Sequence, residues 1–139
     1  MADLIEKVCP YLLRGSRDAF DILAFRHPLA GCQIVKGTLE SGEPAEVGAV
    51  RELAEESGLT GTIALGSRWI STQIVPGQRW HFLPVAAEAV PERFDFWTKD
   101  DGGHVFSFFW WPLEAPLNDS WHHIFRRAVA EIKDHCAAR

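Results

Sequence analysis

The sequence predicts a mixed fold, α/β or α+β, in which a sheet is covered by two helices. Three features lead there. β-prone runs fill much of the first 40 residues and of the stretch 61–111. A single helical segment, beginning near Glu43–Pro44 and stopping at Gly58, divides them. An amphipathic helix closes the chain. Two helices on one sheet would bury both of its faces.

Residues 7–13 (KVCPYLL) read as a first strand, with Pro10 suggesting an edge or a bulge. A polar turn at 14–18 leads to 19–26 (AFDILAFR), apolar on both faces as a central strand is. His27-Pro28 ends it, and 32–40 (CQIVKGTLE) forms the next strand. After the helix come a short apolar piece at 61–65, a strand at 67–75 and a strand at 78–87. Pro76-Gly77 between the last two predicts a hairpin. Residues 88–103 carry charge, Pro91 and Gly102-Gly103, and read as a loop. Residues 104–111 (HVFSFFWW) are strongly β-prone. Asn118, Asp119 and Ser120 offer caps for a final helix with Trp121, Ile124, Phe125, Ala128, Val129, Ile132 and Cys136 on one stripe.

The 139 residues fit one domain, 1–139, and 47% of them are hydrophobic, which argues against disorder. A net charge of −5 argues against a broad nucleic-acid surface. Cys9, Cys32 and Cys136 are odd in number and contain no C-x-x-C, as expected of reduced thiols in a cytoplasmic protein. No signal peptide and no apolar run long enough to span a membrane is present.

The informative stretch is 37–59, GTLESGEPAEVGAVRELAEESGL. Pro44 suits a first helical turn, and Gly58 suits a left-handed stop. On a wheel of about 100° per residue, Val47, Val50, Leu53 and Ala54 fall on a core-facing side. Glu52, Glu55 and Glu56 fall opposite, with Gly48 and Ala49 beside them. Glu52 has like charges at i+3 and i+4, each costing about 0.2–0.5 kcal/mol. An E-x-x-E-E run ordinarily faces water. Three clustered carboxylates are also relieved by a divalent cation, and hard oxygen donors suit Mg²⁺ or Mn²⁺.

The complete spacing sets this run apart. It has the form G-x5-E-x7-R-E-U-x-E-E-x-G-U, with U aliphatic, filled by Gly37, Glu43, Arg51, Glu52, Leu53, Glu55, Glu56, Gly58 and Leu59. This resembles the Nudix box of the Nudix hydrolases. The resemblance implies an α/β/α sandwich with a mixed sheet between helices. It also implies a metal-dependent pyrophosphohydrolase that cleaves a small-molecule nucleoside diphosphate linked to another moiety (NDP-X). Glu52, Glu55 and Glu56 would be the catalytic metal ligands, with the Gly37 carbonyl completing an Mg²⁺ or Mn²⁺ site. Lys36 would reach a phosphate. Glu43, Arg51 and Gly58 would hold the loop and helix in register. A homodimer suits the fold.

The general base stays open. It is the box glutamate Glu52 or a later acid, and Glu88, Glu92, Asp95, Asp100 and Asp101 are available. His104 stands where related chains often carry a glutamate, and Val35 where many carry proline; both depart from the family pattern. Trp69, Trp80 and Trp97 could stack a base or pack in the core. The alternative reading is a non-catalytic Nudix-fold sensor that binds a nucleotide. Such proteins usually lose box acids, and this chain has lost none.

Overall fold

The computed structural model describes residues 3–99 and 102–137. Strand β1 (Ile5–Arg14) runs parallel to β7 (Gln78–Ala86) along most of its length, from Ile5 opposite Gln78 to Leu12 opposite Val85. Its other edge is shared. β2 (Asp21–His27) pairs with it only at Leu13 and Arg14, and β4 (Gly37–Thr38) only at Lys7 and Val8. β1 and β2 therefore splay apart. The chain enters the gap through β3 (Gly31–Gln33), which pairs with β2, and leaves it through β4. The single strand expected at 32–40 is broken here, because the backbone changes partner at 34–36. Ile34 and Val35 fill the gap with buried side chains.

β9 (His104–Pro112) pairs antiparallel with β2, and β8 (Phe94–Thr98) with β9. β5 (Thr62–Ile63) and β6 (Trp69–Ser71) line the outer edge of β7. The sheet is thus mixed, and helices α1 (Ala45–Ser57) and α2 (His123–Ala137) cover it. Alternation along the strands divides the apolar side chains between two cores. Val8, Leu12, Leu23, Phe25, Phe106 and Phe108 meet Ala49 and Leu53 of α1. Cys9, Tyr11, Ile22, Ala24, Trp80 and Phe82 meet Phe125, Val129 and Ile132 of α2. This is the α/β/α sandwich that the resemblance implied.

Four further details differ from the sequence reading. β8 lies within the expected loop 88–103; it is short, and its neighbours are charge, proline and glycine. The strand expected at 67–75 is confined to β6, and the chain bends from Thr72 onward while Ile74 drops into the α2 core. The caps at 118–120 form a turn of their own, with Asn118 Oδ1 accepting from the Ser120 N–H at 2.9 Å. The helix starts later, where the His122 ring Nδ1 accepts from the Ile124 N–H at 3.3 Å.

The fourth is the face of α1. Val47 is 55% exposed and Ala54 is exposed, while Gly48, Ala49, Glu52, Leu53, Glu56 and Ser57 are buried. Only Leu53 of the four expected core residues lies fully inside. The helix is rotated so that two glutamates face the protein. Small residues at 48 and 49 let the helix approach closely: a Cβ on Gly48 would sit 2.3 Å from Leu39 Cδ2.

Candidate active site

The gap between β1 and β2 brings the backbone of Gly37 against the inward face of α1. Glu52 and Glu56 are 8% and 5% exposed there, and Glu55 is half-exposed at the rim. The absence of a side chain at Gly37 is required by approach, since a Cβ would fall 1.9 Å from the Glu52 carboxyl carbon. α1 ends at Gly58, whose φ of 75° is left-handed, and the Gly58 N–H donates to the Ala54 carbonyl. β8 holds the same end of the helix from the side, through the Thr98 hydroxyl on the Glu55 carbonyl at 2.9 Å.

Arg51 joins the loop to the helix. Its Nε and Nη2 grip Glu43 at 2.7 and 2.8 Å, a bidentate pair, and Nη2 also reaches the Thr38 carbonyl. Its Nη1 donates to Glu52 Oε1 at 2.8 Å and to Glu55 Oε2 at 3.0 Å. The guanidinium, helped by the Glu40 N–H, holds the Glu43 carboxyl down at about 2. The Glu43, Glu52 and Glu55 bonds in turn raise the Arg51 pKa against a burial effect of opposite sign.

The three glutamates, Gly37 and Lys36 line one cavity of about 540 Å³. Lys7, Thr38, Thr98 and Lys99 complete its wall. Lys7 lies opposite Thr38 in the β1–β4 pairing, and its Nζ donates to the Thr38 hydroxyl at 2.6 Å. Lys7, Lys36 and Lys99 thus line the same cavity as the three glutamates, and Lys36 Nζ lies 5.9 Å from the Phe125 ring centroid. The cavity's donors are hard oxygens, the type that suits Mg²⁺ or Mn²⁺. Among the described residues no three His, Cys, Asp or Glu side chains stand close enough to hold an ion as they are. Arg51 bridges Glu52 and Glu55, so those two would have to leave it to share a cation.

The NUDIX domain profile matches residues 8–132. The chain belongs to the Nudix family. The match spans the box, α1, the first ten residues of α2 and the splayed strands that hold Gly37. A search of curated protein sequences gave no match. Among solved structures, an ADP-ribose pyrophosphatase from Streptococcus suis 89-1591 superposes with a TM-score of 0.67 at 12% identity, covering 96% of this chain and 90% of that one. A UDP-X diphosphatase gives 0.66 at 12% identity, over 99% of this chain. This chain spans 64% of that enzyme's length. A NUDIX hydrolase from Nitrosomonas europaea gives 0.55 at 17% identity, over 94% and 73% of the two chains. Likeness at these identities speaks to the Nudix fold.

The later acids lie elsewhere. Glu92 pairs with Arg14, and Asp95 lines a separate cavity with Arg26 and Arg93. Neither these nor Glu88 lines the box cavity. Asp100 and Asp101 fall outside the described residues. His104 faces His27, with ring centroids 4.8 Å apart. Trp80 is fully buried, and Trp69 is sandwiched between Phe82 and His135 at 4.7 and 3.8 Å. Trp97 is 61% exposed, but it alternates with Thr98 and so points to the opposite face of the sheet. Lys7, Thr98 and Lys99 were not singled out from the sequence. Lys7 lies in the first strand with no local motif, and Thr98 and Lys99 lie in a stretch read as loop.

Proposed function

We propose that this Nudix protein is a pyrophosphohydrolase of NDP-X compounds, with residues 1–139 as one catalytic domain. Membership of the family carries the reaction class: it is a hydrolase acting on phosphoric anhydride bonds. The observation that carries the finer reading is the shared cavity, whose lining combines the three box glutamates, Gly37 and three lysines. A diphosphate repels an anionic nucleophile, so its charge must be offset before water can attack phosphorus. Lys7, Lys36 and Lys99 offset it from the wall. The buried Glu52 and Glu56, with Glu55 at the rim, supply the negative pole.

Glu52, Glu55, Glu56 and the Gly37 carbonyl would hold Mg²⁺ or Mn²⁺. When bound, such an ion neutralises the phosphate oxygens and activates water. Arg51 and Glu43 fix the loop against the helix, which preserves the spacing between Gly37 and Glu52. Positioning of this kind supplies much of the catalysis of in-line phosphoryl chemistry. The names of two structural neighbours, UDP-X diphosphatase and ADP-ribose pyrophosphatase, both denote a nucleoside diphosphate carrying a second group. That agrees with NDP-X as the substrate class. No helix of the described residues is long and apolar enough to cross a membrane. Cys9, Cys32 and Cys136 are buried thiols outside any disulfide, which supports a cytoplasmic setting.

The test is a panel of nucleoside diphosphate derivatives with Mg²⁺ or Mn²⁺, run beside Glu56→Gln. Turnover that this substitution reduces to near background supports the reading. Turnover unchanged by it overturns the ligand assignment. Tight nucleotide binding with no product over long incubation would instead favour the sensor.

A further inference from the structure

Helix α2 covers only part of its side of the sheet. On β2 it shares a core with Ile22 and Ala24, but Arg26, two residues further along the same face, is exposed. The pairing register carries that face outward. Arg26 lies opposite Ser107 of β9, and Ser107 lies opposite Asp95 of β8, the last strand of the sheet. Asp95 is exposed as well. One row along, Trp97 and Val105 face each other across β8 and β9, and they are 61% and 45% exposed. A cavity of about 390 Å³ lies on this face, with Arg26, Asp95, Ser107 and Phe109 in its lining. Arg93 also lines it, beside Glu92.

We propose that this open face of β2, β9 and β8 is a homodimer interface, its occupant a second copy of this chain. Single exposed apolar residues are ordinary, but here a tryptophan and a valine sit side by side on a face that also carries arginine. The charges say which partner fits. Arg26 and Asp95 flank β9 at equal offsets, one strand to either side. Two strand spacings, about 10 Å, separate their backbones. Among the described residues the side chain of neither forms a hydrogen bond or an ion pair. A two-fold axis running along β9 exchanges the places of β2 and β8. It therefore sets Arg26 of each copy against Asp95 of the other and forms two ion pairs at once. Ser107, Val105 and Phe109 of β9 meet their own counterparts on the axis, as a self-complementary surface requires. A foreign partner has no need of charges balanced about the middle strand of the patch; a second copy does.

Sedimentation velocity of the full chain reads the association, at concentrations rising from micromolar to millimolar. The wild type is expected to pass from monomer to dimer. Arg26→Asp and Asp95→Arg should each weaken the dimer about tenfold or more, because each sets like charges against one another. The double reversal should restore it, since it exchanges the two charges and keeps the pairing. Val105→Glu places two carboxylates on the axis and should leave only monomer. All three positions are exposed, so thermal midpoints should stay within a few degrees of wild type and show that the fold is intact. A wild type that stays monomeric throughout overturns the proposal and leaves the face to a different protein. A dimer unmoved by Val105→Glu and by both single reversals overturns it too, because the copies then meet elsewhere. A double reversal no tighter than the single ones overturns the pairing of Arg26 with Asp95 and the axis along β9.

Discussion

The carboxylate of Glu52 packs across the bare α-carbon of Gly37, so close that a methyl group there would lie 1.9 Å from its carboxyl carbon. The φ of Gly37 is not left-handed, so the glycine is needed for the approach and not for a turn. Gly37→Ala should therefore push Glu52 out of place with little effect on the rest of the fold. A misplacement near 1 Å can cost about 10²-fold in rate. The expected result is a loss of kcat/KM of that order with a thermal midpoint within a few degrees of wild type. A full loss of folding would show that the loop, and not Glu52, bears the strain.

Arg51 Nη1 stands between Glu52 and Glu55, where a shared cation would also be drawn. The guanidinium and the ion compete for the same oxygens. Removing one positive charge at this distance should strengthen cation binding by about tenfold. Arg51→Gln is thus expected to bind Mn²⁺ more tightly, as read by electron paramagnetic resonance titration. Without metal it should melt earlier, because Glu43 is left buried without its bidentate partner. Weaker Mn²⁺ binding would mean that Arg51 orients the carboxylates more than it competes for them.

The same helix shows where the sequence could and could not be read. The glycine, arginine and glutamate spacing picked out residues that the fold brings to one cavity, because each position answers a local constraint: approach at Gly37, a chain stop at Gly58, a pair at Glu43 and Arg51. The core-facing side was misjudged because hydrophobicity assigned Val47 inward and Glu52 outward. The close approach of α1 to Gly37 and Leu39 reverses that order, turning Glu52 and Glu56 inward and Val47 out. β8 went unread because Phe94 and Phe96 alternate over only five residues. Lys7 was illegible for another reason. Its place at the site depends on the long-range pairing of β1 with β4, which no local pattern encodes.

Acid should expose the Glu43–Arg51 pair. The Glu43 carboxyl sits at about 2 in the fold, against about 4.3 for an unperturbed glutamate. A depressed carboxylate adds stability that is fully present above the unfolded value and is lost as pH falls through the folded one. The gap in urea midpoint between wild type and Glu43→Gln should be constant above about pH 5 and should narrow from there towards pH 2. A gap that stays the same at pH 7 and pH 2.5 would show that the carboxylate charge contributes nothing.

Lys7 gives the sharpest test of the proposed phosphate contacts of the cavity. It lies outside the box, on β1, with its Nζ fixed on the Thr38 hydroxyl beside Gly37. A charge-assisted contact to a phosphate oxygen contributes about 1.5–3 kcal/mol, so Lys7→Ala should raise KM for an NDP-X substrate by about tenfold or more. Lys7→Arg should restore much of the loss, since the charge is kept. Lys7→Met keeps the length without the charge and should not restore it. Salt should weaken the wild type towards the Lys7→Met value, because a half-exposed ammonium is screened within about 10 Å at 0.1 M. If Lys7→Met binds as well as wild type, the contribution of Lys7 is packing against Thr38, and the phosphates are held by Lys36 and Lys99.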